Sequence, residues 1–249
     1  MKQISVGIMS MLIMVIVSYQ SISQDKKMTW TTKSKPAKEL ALSGANHMMN
    51  AEFAQAYSDL SAALKLDPNF TVALVLMTNL TRGESRRAYA ERALKSATSK
   101  TEGEKLFVST IVDENQTLRD KKEIWDKLHT MFPDGDMIGD LYVQSRATPE
   151  ERFAAAQAYI KKFPQQAAMY NTIAYYYMLD KKDNEMAKKN LQKYIALYPE
   201  GSNPYDSMAE YYLNTGDTEN AKKYYTMALE KYPFNNSSIN ALQKMADKK

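Results

Sequence analysis

No cysteine occurs among the 249 residues, which excludes structural disulfides, thiolate metal sites, a thiol nucleophile and a lipid-modified cysteine. Glycine and proline are scarce, eight of each, so a phosphate-cradling glycine loop is missing and helices are favoured over many short strands. Histidine is scarcer still: neither His47 nor His129 has a second His or Cys at metal-ligand spacing, and each reads as a helix packing residue. Asp134-Gly135-Asp136 with Gly139-Asp140 fails as a calcium loop, because Ile138 stands where oxygen is needed and Ser145 where a bidentate glutamate is required. A large excess of one charge is missing too. Basic residues number 33 and acidic ones 29, interspersed without a stripe, so neither nucleic acid nor an anionic membrane surface is implied. No spacing singles out two carboxylates as a catalytic pair. The expectation is no enzymatic activity, no catalytic residue, no cofactor and no metal.

What is present is enough apolar material for a core. Hydrophobic residues make up 44% and charged residues 25%, with Ala, Lys, Leu, Met and Tyr recurring throughout, which predicts an all-α chain. One long apolar run stands apart. Lys2, the run Ile4 to Val17 and the small residues Ser21-Ile22-Ser23 have the layout of a signal peptide over residues 1–23, and the run falls short of the roughly 20 residues that span a bilayer. The expected location is periplasmic or secreted, with no membrane span once the leader is removed. Residues 24–36 read as a polar lead-in, with Trp30 tucked against the first helix.

Beyond the leader the chain repeats. Pro68, Pro133, Pro164, Pro199 and Pro233 stand 65, 31, 35 and 34 residues apart, the first gap accommodating two units. Met208-Ala209, Tyr212, Ala221, Tyr225, Ala228 and Pro233 recur at the same offsets as Ala174-Tyr175, Met178, Ala187, Leu191, Tyr194 and Pro199. Ser43-Gly44, His47, Ala56, Leu60, Ala63 and Pro68 make a third such unit. Val108-Ser109, Val112, Trp125, Leu128 and Pro133 are a looser copy, with Lys121 at a position that is small in the others, while residues 70–100 and 135–166 are degenerate. Small residues at these offsets let two helix backbones approach, and Leu60, Leu191 and Tyr225 fill the groove beside them. Thr215-Gly216-Asp217-Thr218 supplies a helix stop and a polar restart, and Thr148-Pro149-Glu150-Glu151 and Thr101 to Glu104 read as N-terminal capping boxes.

Across residues 37–235 this pattern resembles the tetratricopeptide repeat family. The resemblance implies a right-handed α-α superhelix of about six hairpins, in which each unit shields its neighbour's apolar face. A capping helix over residues 236–249 would close the last hairpin with Ile239, Leu242 and Met245.

In this family the inner face of the first helices binds extended peptides or partner helices. The resemblance therefore points to Thr172, Tyr176, Leu179, Asp206, Glu210 and Leu213 as a C-terminal groove, with Met48 and Met49 lining its N-terminal end. Ala45 and Thr172 stand where the carboxylate-clamp subfamily carries charged or amide residues, which argues against a chaperone-tail receptor. The expected role is an envelope interaction module or scaffold for a protein or peptide partner. A component of an envelope hydrolase pathway and a self-associating scaffold, a homo-oligomer paired through terminal hairpins, are the other two readings.

Overall fold

The computed structural model describes residues 26–113 and 115–247, so the leader assigned to residues 1–23 lies outside the described residues. Among those residues the chain is all-helical. It runs α1 (Lys35–Met49), α2 (Phe53–Leu66), α3 (Thr71–Leu80), α4 (Gly83–Ser96), α5 (Glu102–Ser109), α6 (Lys122–Met131) and α7 (Asp136–Gln144). It continues with α8 (Pro149–Lys162), α9 (Ala167–Tyr175), α10 (Asn184–Leu197), α11 (Asn203–Asn214), α12 (Thr218–Lys231) and α13 (Asn236–Ala246). A π-helical turn, Tyr176–Lys181, prolongs α9. Consecutive helices pair into six antiparallel hairpins, α1/α2 to α11/α12, which stack as a right-handed superhelix, and α13 packs on the last.

Local signals explain the boundaries. Thr101 and Thr148 each form a reciprocal capping box, with Glu104 and Glu151 respectively. Asp183 and Asp217 cap α10 and α12 by accepting from Met186 N–H and Asn220 N–H. The corner between first and second helix needs a left-handed residue: Gly216 takes it at φ +83°, Ala51 and Lys182 at φ 57°. Where the helices of the first hairpin cross, a Cβ on Gly44 would lie 2.8 Å from Leu60 Cγ, so this contact admits only glycine without movement.

Burial is deepest at α3, whose residues Thr71 to Thr78 are all buried. A helix apolar on every side has neighbours on every side, and α3 touches α1, α2, α4 and α5. The lead-in is less free than its polarity suggests. Met28 and Trp30 are buried, Trp30 meets Phe70 edge-on, and Thr31 donates from its amide and its hydroxyl to the Glu104 carboxylate at 2.8 and 2.6 Å. The segment thus straps α1 to the starts of α3 and α5.

Candidate partner-binding clefts

The superhelix does not leave one open trough, because its first hairpin returns onto the fifth and sixth. Glu52, the residue before α2, is buried, and Tyr198 donates its hydroxyl to Glu52 Oε2 at 2.7 Å. The Ser202 amide donates to Oε1 at 2.7 Å, and His47 Nδ1 lies 2.7 Å from Oε2. Beside it the Tyr194 hydroxyl donates to Asn50 Oδ1 at 2.9 Å and accepts from Asn203 Nδ2 at 3.1 Å. Residues about 150 positions apart therefore share one buried polar junction, and α1 also touches α7.

Charge is tuned there. The Glu52 hydrogen bond holds the His47 pKa above its ordinary value, against burial and with help from the Glu52 and Asp59 charges. Burial pushes Glu52 up, yet the hydrogen bonds from His47, Tyr198 and the Asn203 and Ser202 amides outweigh it and hold the carboxyl below its usual range. His47, expected as a packing ring, is thus a hydrogen-bonding member of the junction.

Closure divides the inner surface into two clefts. The first, about 480 Å³, lies between the inner face of α1, the lead-in and the start of α7, with Trp30, Leu42, Ala45, Met49, Met137 and Ile138 among its walls. Leu42 is 48% exposed, and Met48 packs on the core beside Met49. The second, about 320 Å³, is lined by Gln144, Pro149, Arg152, Thr172, Tyr176 and Leu179, among others, and Gln144 Nε2 donates to Thr172 Oγ1 at 3.1 Å.

The eight residues expected on one inner groove therefore fall into separate places. Met49 lines the first cleft, and Thr172, Tyr176 and Leu179 the second. Tyr176 is only 7% exposed, because its ring stacks on Phe153 of α8 at 4.2 Å. Asp206 is buried beneath α13, accepting from the Ser237 and Ser238 hydroxyls, so it anchors the last helix. Glu210 accepts from the Tyr175 hydroxyl, and Leu213 is 46% exposed at the end of α11.

Lys38, Leu42, Trp30, Met137 and Ile138 were not expected in a site. The first two had a signal, since Lys38, Leu42, Ala45 and Met49 recur at helical spacing, but the approach of α7 and the lead-in had none. Asp206 and Glu210 both have raised pKa values, burial being the first cause for each, but neither lines a cleft. Asp140, buried in α7 with Oδ1 unpaired, is pushed up to about 7 by burial. Among the described residues no group of three His, Asp or Glu is placed to hold a metal ion, and no helix is long and apolar enough to cross a membrane.

Comparison with known proteins agrees with this geometry. Residues 207–235, which comprise most of α11, all of α12 and the turn after it, match the model of a tetratricopeptide repeat. No curated protein matches the chain. Among solved structures, the Cut9–Hcn1 hetero-tetramer of APC/C is similar with a TM-score of 0.52 at 14% identity, over 89% of this chain and 43% of that one. PilW, a widely conserved type IV pilus biogenesis factor, has a TM-score of 0.48 at 14% identity, over 84% and 99%. TTC0263, a tetratricopeptide-repeat protein of Thermus thermophilus, has 0.39 at 16%, over 84% and 97%. At such identities the likeness is one of fold. Six stacked hairpins with a small residue at each well-kept crossing thus give the chain the fold of a tetratricopeptide-repeat solenoid, and its last hairpin matches one such repeat.

Proposed function

We propose that the protein is a non-enzymatic interaction scaffold of the cell envelope that holds a protein partner on its inner face, gripping an apolar stretch of extended peptide or partner helix. The observation that carries this reading is the first cleft. Methionine and aromatic walls adapt to a guest side chain, and Leu42 keeps an exposed apolar edge at its mouth where a solvated surface would be polar. Thr172 and Leu179 in the second cleft and Leu213 on the end of α11 offer the C-terminal contacts. Placement in the envelope rests on the leader-like layout of residues 1–23.

A hydrolase would be favoured by two raised carboxyls facing a cleft. Asp206 and Glu210 are raised, but their oxygens are engaged by Ser237, Ser238 and Tyr175.

The test is affinity capture from the native envelope fraction with the chain lacking residues 1–23, as wild type, as Leu42→Glu with Met49→Glu, and as Phe234→Glu. Phe234 is an exposed control outside both clefts. The wild type and the control should retain the same bound species and the cleft variant should lose it. Unchanged capture by the cleft variant would refute the reading.

A further inference from the structure

A third cavity, about 400 Å³, lies where the α3–α4 corner meets the end of α5 and the start of α6, and it shares no residue with either cleft. Its donors outnumber its acceptors. Arg82 and Arg86 stand one turn apart at the start of α4, and Lys121 and Trp125 at the start of α6.

Lys121 is only 8% exposed, yet among the described residues no carboxylate pairs with it or with Arg86. The nearby charges of Asp113 and Asp120 favour its ammonium form, while burial and the Arg86 charge oppose it more strongly and lower its pKa. Trp125 is 2% exposed and packs edge-on against Phe107, and its Nε1 is buried without a hydrogen-bond partner. Arg82 Nη1 donates to the Asn79 and Thr81 carbonyls, which pins the guanidinium beside the cavity. The first turn of α4 has no side-chain cap, so its amides add further donors. The Thr78 and Thr110 hydroxyls spend their protons on Val75 and Phe107 carbonyls.

A buried donor without an acceptor costs about 1–3 kcal/mol, and here a buried indole N–H and a buried ammonium line one cavity. Both are relieved by a ligand that only accepts. A carboxylate has two oxygens. Donors on α4 and α6, which approach from different sides, are better matched by a tetrahedral ion with more of them. We propose that this cavity binds a phosphate-type oxoanion, free or as a small phosphate ester, with Arg86, Lys121 and Trp125 Nε1 as its donors. Lysine at the position that is alanine in the three well-kept repeats, Ala56, Ala187 and Ala221, is the sequence departure that supplies the buried ammonium.

The chain has two tryptophans, so a uniformly ¹⁵N-labelled sample has two indole cross-peaks, and Trp30 serves as the internal control. At constant ionic strength, inorganic phosphate, glycerol 3-phosphate and acetate are titrated separately. The expected result is a saturable shift of the Trp125 peak with phosphate, the ester or both, with Trp30 unmoved. Response to the ester alone assigns an esterified ligand, and equal response to both assigns the bare oxoanion. Lys121→Gln and Arg86→Gln should each weaken binding about tenfold or more. Should Lys121→Gln disturb the fold, as the Trp30 peak would reveal, Arg86→Gln on its partly exposed side chain decides alone. No saturable shift, an equal response to acetate, or wild-type affinity in a folded Arg86→Gln overturns the proposal.

Discussion

At the scale of single residues, the corner between paired helices shows how one backbone requirement is met by different side chains. Gly216 accepts a positive φ at no steric cost, while Lys182 and Ala51 hold theirs with a Cβ in place. Lys182→Gly should therefore stabilise the protein by up to about 1 kcal/mol, less whatever glycine's extra freedom costs in the unfolded chain. Denaturant titration of wild type and variant measures this, and loss of stability would mean that the Lys182 side chain makes a contact worth more than the strain. Gly44 is the opposite case. Its conformation is ordinary, and the closeness of Leu60 demands the missing side chain.

At the scale of elements, the junction between the α1–α2 turn and the α10–α11 turn has a pH window whose limits follow from its two titrating groups. The His47 pKa is raised above 6.5, so the stability it supplies is complete below 6.5 and lost as pH rises through the folded value. The Glu52 pKa is lowered beneath 4.5, so its contribution is complete above 4.5 and lost as pH falls through the folded value. The junction is tightest between the two. Asp140, raised to about 7, removes stability as pH climbs from 3.8, so the window must be read as the difference between wild type and Glu52→Gln. That difference should peak between pH 4.5 and 6.5 at about 2 kcal/mol or more, since hydrogen bonds to a buried charge are lost. A difference flat from pH 4 to 8 would show that the junction's charge state does not matter.

At the scale of the whole molecule, closure converts a spiral into a ring-like body in which the first hairpin braces the last two. Asn50→Ala combined with Glu52→Ala should leave helix content unchanged while the radius of gyration in solution scattering increases, because these two side chains take the short hydrogen bonds from Tyr194, Tyr198 and Ser202 and leave only the 3.3 Å contact of His47 Nδ1 with the Tyr198 hydroxyl. An unchanged radius would show that the α1–α7 and His47–Tyr198 contacts suffice to keep the ring shut. Closure also bears on partner binding, since it separates Met49 from Thr172, Tyr176 and Leu179 and leaves two short clefts in place of one long groove.

What the sequence by itself determined is the local and the periodic. Helical class, the capping boxes at Thr101 and Thr148, the corner at Gly216 and the crossing at Gly44 depend on residues a few positions apart or on the next helix, and a 34-residue register repeats such relations legibly. Only the tertiary structure decided where the two ends of the superhelix meet. The small rotation from each hairpin to the next accumulates over five units, and no spacing in the sequence encodes that sum. Asn50 and Glu52 consequently look like ordinary turn residues until Tyr194, Tyr198 and Ser202 are brought against them, and Asp206 looks like an inner-face charge until α13 covers it.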